Sequence, residues 1–338
     1  MKKLLVVPCL LVLAFLIFQR APAQEEKSLR LEQTIALPAV EGRIDHLAVD
    51  VKSQRLFLAA LGNNTLEVID LKAGKVIHSV KGLREPQGVA FIPEANVVYV
   101  ANGGDGNCEA FDADSLAPLR NAKFSGDSDN LRYDPRAKLL YVGYGGGAIG
   151  IFGGAIGIFE AQTGKIVGDI KLPAHPEAFS LEQTGARIFV NLPRVKQVAV
   201  IDREKRAVVA KWPVTQAAAN YPMALDESNH RLFIGCRHPA RILVLDTGSG
   251  KTVTEFECAG DTDDVFYDAK NKRIYVSGGE GFISVFAQLD ADKYRPIAKI
   301  PTAPGARTSL FVPALGRLYL AVPHRGKQAS EVQVFEIQ

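Results

Sequence analysis

The sequence predicts an all-β fold, a seven-bladed β-propeller of four-stranded blades, and three observations carry that expectation. An aromatic residue recurs seven times, at Phe57, Tyr99, Tyr141, Phe189, Phe233, Tyr275 and Tyr319, with spacings of 42, 42, 48, 44, 42 and 44 residues. Each aromatic sits in the second of four short strand-like segments, and a period of that size built from four strands marks propeller blades. The two ends of the chain supply complementary parts of a single blade.

The order of segments justifies each element. Lys2 and Lys3, an apolar run from Leu4 to Phe18 and the Ala21-Pro22-Ala23 site read as a secretory signal peptide over residues 1–23. Its apolar run of 15 residues is short of the roughly 20 that a spanning helix needs, so no membrane span is expected after cleavage near Ala23. Residues 24–338 then form one propeller domain. The segment Leu31 to Ala39 resembles a blade's fourth strand, whereas the last repeat stops at a third strand, Glu331 to Ile337. The N-terminal strand is therefore expected to complete the last blade and close the ring, which removes exposed sheet edges.

The one long interval has a visible source. Gly147 to Gly153 reads GAIGIFG, and Gly154 to Phe159 repeats GAIGIF directly after it. Only one copy can serve as third strand, and the second is favoured because it runs into the turn from Glu160 to Lys165. Turns between third and fourth strands carry an acid in six blades, Asp70, Asp112, Glu160, Asp202, Asp246 and Glu336, as expected of side chains that bond a turn backbone.

A formal net charge of +3 over 338 residues gives no electrostatic footprint for nucleic acid. No HxH, HExxH, CxxC or GxSxG spacing occurs, which sets aside zincin, thioredoxin-like, c-type haem and serine-elbow chemistry. The mature chain keeps three cysteines, Cys108, Cys236 and Cys258. Cys236 and Cys258 could pair if their strands were neighbours, and buried free thiols are the alternative. The single Trp212 falls in a fourth strand, where packing between blades is the simpler role.

The run Gly42-Arg43-Ile44-Asp45-His46-Leu47-Ala48-Val49-Asp50, with Arg55-Leu56-Phe57-Leu58-Ala59 and Val68-Ile69-Asp70, resembles YncE-type proteins of the YVTN-repeat β-propeller family. The resemblance spans nearly the whole mature chain and implies a periplasmic or extracellular bacterial propeller. Those motifs are strand and turn residues, so they imply a fold more than an activity.

Aligning the blades on the aromatic marker places the residues entering each first strand around one mouth of the channel. They are Asp45/His46, Gln87/Gly88, Asp129/Asn130, Glu177/Ala178, Tyr221/Pro222, Asp263/Asp264 and Arg307/Thr308. Asp45, His46, Asp129, Asn130, Glu177, Asp263 and Asp264 form the candidate ligand or metal set, because carboxylate and amide oxygens suit a divalent cation such as Ca²⁺ and an imidazole admits transition metals. Arg43, Arg194, Tyr221, Arg237, His238, Arg307, His324 and Arg325 form the candidate binding rim. The same acids could equally cap turns or be neutralised by Arg43 and Arg307. Two functions follow: a non-catalytic binding or scaffold propeller that presents its channel mouth and loop face to a protein or small ligand, or a metal-dependent lactonase or ester hydrolase with an acidic site at the mouth.

Overall fold

The structure, a computed structural model, describes residues 28–146 and 153–338. The expected signal peptide and residues 147–152, which are the first copy of the duplicated unit apart from its Gly153, lie outside those residues. Among the described residues the strands assemble into seven four-stranded antiparallel sheets arranged as propeller blades. Blades one to six run from Leu47 to Lys81, Pro86 to Lys123, Ser128 to Leu172, Phe179 to Pro213, Ala218 to Glu257 and Thr262 to Pro301. The seventh consists of Ser309–Val312, Arg317–Val322 and Glu331–Ile337, with Leu29–Ala36 as its fourth strand.

That fourth strand pairs antiparallel with the chain's last strand, from Leu29 opposite Ile337 to Ala36 opposite Glu331. Ile35 and Leu37 are fully buried, and the Ser330 hydroxyl donates to the carbonyls of Leu37 and Val40 at 2.7 Å. Apolar burial and hydrogen bonding thus both fasten the closing strand. Glu336, expected in a hairpin turn, instead pairs with Arg30 at 2.5 Å, because no hairpin follows the third strand of this blade.

Why each second strand is a continuous apolar run is clear from the packing. Its two faces lie against two neighbouring blades, so residues such as Leu56, Phe57, Leu58 and Ala59 are all buried. A strand covered on both sides loses the apolar/polar alternation of a half-exposed one. Seven hydrophobic clusters result, one at each interface between adjacent blades. Trp212 packs on Phe189 at 5.6 Å between ring centroids, within the cluster joining blades four and five.

The second copy of the duplicated unit, Gly154–Glu160, is the third strand of blade three, as the sequence suggests. Gly157 within it faces Phe124, and a Cβ there would stand 2.4 Å from the ring. The expected turn chemistry is present at Asp70, Asp112, Asp202 and Asp246, each accepting two backbone N–H bonds from the residues just after it. A second set, at the end of the first strand, comprises Asp50, Asp134 and Asp268, which cap their turns in the same way. Cys108, Cys236 and Cys258 are free thiols. Cys236 lies on the second strand of blade five and Cys258 just beyond its fourth, with Ala240–Asp246 between those strands.

Candidate functional site

The first strand of each blade lines the channel, so a residue's distance from the aromatic marker sets its depth. Nine residues before the marker and directly paired with it are Ala48, Ala90, Arg132, Ser180, Ala224, Phe266 and Leu310. Arg132 is the one charged residue of this layer. Its guanidinium donates to the Leu131 carbonyl and lies 5.5 Å from the Phe179 ring centre. A cavity of about 910 Å³ spans this layer and the positions on either side of it, and every blade contributes to its wall.

All seven residues of the predicted channel set line that cavity: Asp45, His46, Asp129, Asn130, Glu177, Asp263 and Asp264. Of the predicted rim, Arg43, Arg194, Tyr221, Arg237 and Arg307 also reach it. His238, His324 and Arg325 do not. His324 Nδ1 instead lies 2.7 Å from Glu41 Oε2, and Arg325 forms a backbone bridge with Gln328 while its side chain lies against Gly305.

The wall is electrostatically lopsided. Across blades five to seven the charges are paired: Arg237 Nη2 lies 2.6 Å from Asp263 Oδ1, and Arg307 Nε lies 2.9 Å from Asp263 Oδ2. Arg307 also holds Asp261 at 2.9 Å, and Arg237 stacks 3.9 Å from the Tyr221 ring centre. Asp264 accepts the Ser309 N–H at 2.7 Å. Asp45 has Arg43 at 3.5 Å, a longer and weaker pairing.

Blades three and four differ. Asp129 is 7% exposed and Asn130 3%, yet Asp129 Oδ1 and Asn130 Oδ1 have no hydrogen-bond donor. A buried acceptor left without a donor is uncommon in native proteins. The imidazole Nε2 of His46 comes to 3.7 Å from Asp129 Oδ1 and 3.8 Å from Asp45 Oδ1, beyond hydrogen-bonding distance. Among the described residues no side-chain hydrogen bond or ion pair reaches Glu177.

Burial governs the ionisation of these groups. Desolvation pushes Asp129 well above the usual carboxylate range, and the charges of Asp45, Glu177, Asp127 and Asp263 push it further. Glu177 rises to about 7, chiefly by desolvation and then by Asp263, with Arg237 opposing. Asp264 is also well raised by burial, and Asp45 and Asp263 are raised against the pull of neighbouring arginines. His46 falls to about 4 through burial and the nearby Arg132 charge, so its ring is neutral at physiological pH.

Three contributors escape the two-residue window of the sequence alignment. Asp127, His175 and Asp261 lie fourteen residues before their markers, in register with Arg43. Asp127 accepts from Gln87 at 2.6 Å, His175 Nδ1 lies 2.6 Å from the Gly145 carbonyl, and Asp261 completes the arginine network. Extending the same alignment two residues outward finds them. Among the described residues no three His, Cys, Asp or Glu side chains are disposed to hold one metal ion. The channel acids line a common cavity without forming a ligand cage.

No family model matches the sequence, and no curated protein matches it. Among solved structures, the chain is similar to one in a structure titled "Crystal Structure of Mitotic Checkpoint Complex", with a TM-score of 0.75 and 14% identity. That match covers 97% of this chain and 98% of the other, a likeness of fold over the full propeller.

Proposed function

We propose that this chain is a secreted, non-catalytic binding propeller of the YVTN-repeat type, active in the periplasm or outside the cell, which holds a small ligand in its channel mouth. The observation that carries the proposal is the cavity wall of blades three and four. There Asp129 and Asn130, residues of the wall of a cavity of about 910 Å³, each carry a buried acceptor oxygen, Oδ1, with no donor among the described residues. Such atoms cost about 1–3 kcal/mol each when desolvated and unbonded, and a ligand donor recovers that cost. Ligand sites are concave, with a few convergent polar groups on an otherwise preformed wall. A rigid ring of seven blades supplies such a wall.

Two measurements on the purified mature protein test the proposal. Native mass spectrometry is expected to find a small molecule retained at one per chain. Elemental analysis, with thermal midpoints taken with and without chelator, is expected to show no stoichiometric metal and no chelator effect. A bound metal whose removal lowers the midpoint, and chelator-sensitive lactone hydrolysis that Asp263→Ala/Asp264→Ala lacks, would replace the binding function with a hydrolase.

A further inference from the structure

We infer that the ligand of the channel mouth carries a primary ammonium group, held by Asp129, Asn130 and Glu177 on the wall of blades three and four. This rests on the proposed binding function and adds the chemistry of the ligand. Asp129 Oδ1 and Asn130 Oδ1 are acceptors on residues more than nine-tenths buried, and neither has a donor. Glu177, on the next blade, has no side-chain partner among the described residues and lines the same cavity. The missing complement is a donor, and an ammonium offers three N–H groups and no acceptor.

Charge points the same way. The arginines of blades five and seven are taken up by Asp261 and Asp263, and Arg43 lies nearest Asp45. Arg132 and Arg194 line the same cavity, yet among the described residues neither forms an ion pair with Asp129 or Glu177, so both acids stand without an arginine or lysine in contact. The neighbouring His46 is neutral and too distant to donate. Burial and neighbouring acids hold both carboxyls toward the protonated form, and a cation placed against them would favour the ionised form instead. A bare metal ion fits less well, since no three-ligand cluster occurs among the described residues and the cavity far exceeds an ion in size.

Three four-carbon chains that differ only in their ends test the inference: 1,4-diaminobutane, 4-aminobutanoate and butanedioate, each titrated calorimetrically into the mature protein. The diamine, or the amino acid, is expected to bind at one per chain, and butanedioate is not. The two positive arms separate a simple amine from a zwitterion whose carboxylate reaches Arg132 or Arg194. Asp129→Asn and Glu177→Gln are each expected to weaken binding about tenfold or more, whereas Lys205→Ala, on an outer turn, leaves it unchanged; circular dichroism and thermal melts confirm folding. Binding of butanedioate alone overturns the inference and leaves the binding function standing. Silence from all three overturns the inference as well, and overturns the binding function too when native mass spectrometry finds no retained molecule.

Discussion

Replacing Glu177 by Gln changes how stability depends on pH, and the size of the change follows from the site. The carboxyl moves from an ordinary 4.5 to about 7 on folding. Each pH unit of such a difference corresponds to about 1.36 kcal/mol, so the shift amounts to at most about 3 kcal/mol. The sign follows from proton binding. Between pH 4.5 and 7 the folded protein holds a proton that the unfolded chain has released, so this group stabilises fully below 4.5 and its contribution is lost as pH rises through 7. Above 7 both states are ionised, and the folded one carries a desolvated charge close to Asp263 and Asp45. His46 acts oppositely: lowered from 6.5 to about 4, it gives its full contribution above 6.5 and loses it as pH falls through 4. Wild-type stability should therefore peak between these limits and fall on the alkaline side. In Glu177→Gln the alkaline fall should flatten, leaving the variant up to about 3 kcal/mol more stable at pH 8.5 and little changed at pH 5. Urea unfolding at a series of pH values measures this directly. An unchanged pH slope would show that Glu177 ionises normally and that the cavity is wetter than its burial indicates.

The paired side of the ring and the rest of the fold yield further expectations. Arg307→Ala leaves Asp261 and Asp263 with Arg237 alone and should cost roughly 2 kcal/mol in urea unfolding, less than a fully buried pair because Arg307 is partly exposed; a loss under about 0.5 kcal/mol would show the network to be solvated. Ile35→Ala, in the closing strand, should cost roughly 2–4 kcal/mol, because the side chain is fully buried; a negligible effect would mean that the N-terminal strand does not complete the seventh blade. Cys236 and Cys258, both pushed up to about 12 by burial, should resist a maleimide in the native protein and label fully in urea. Rapid native labelling of either would contradict the packing around blade five.

The architecture was legible because blade repetition turns one signal into seven. The aromatic marker is buried between neighbouring blades, so its spacing reports the tertiary period directly, and the ring closure follows from which strand the final repeat lacks. The candidate site was legible to the depth of two residues per blade, since the marker alignment fixes height in the channel. What the alignment could not supply is pairing across blades. Whether Asp263 meets Arg237 and Arg307, or stands free as Asp129 does, depends on side-chain reach around the ring, which no periodicity encodes. Arg132 shows the other gap. It occupies a layer otherwise filled by small or apolar residues, but within its strand it reads as the outward member of an ordinary alternation.

The lopsided ring separates two kinds of residue that look alike in sequence. Asp263 and Asp129 occupy equivalent heights and are both buried acids, yet one is held by two arginines and the other has an orphaned oxygen. An ion pair inside a protein is maintained by the charge left stranded when either partner goes. An unpaired acid has no such support and lowers the stability of the empty fold, which is how ligand-binding positions commonly behave. Substitution should therefore move them in opposite directions: Asp263→Asn frees two arginine contacts and destabilises the chain, whereas Asp129→Asn removes a carboxyl that burial disfavours and leaves the empty protein as stable or more so at pH 8. Thermal melts of the two variants side by side measure the difference. If Asp129→Asn proved as damaging as Asp263→Asn, the open wall of blades three and four would be part of the scaffold, and the case for a ligand there would fall with it.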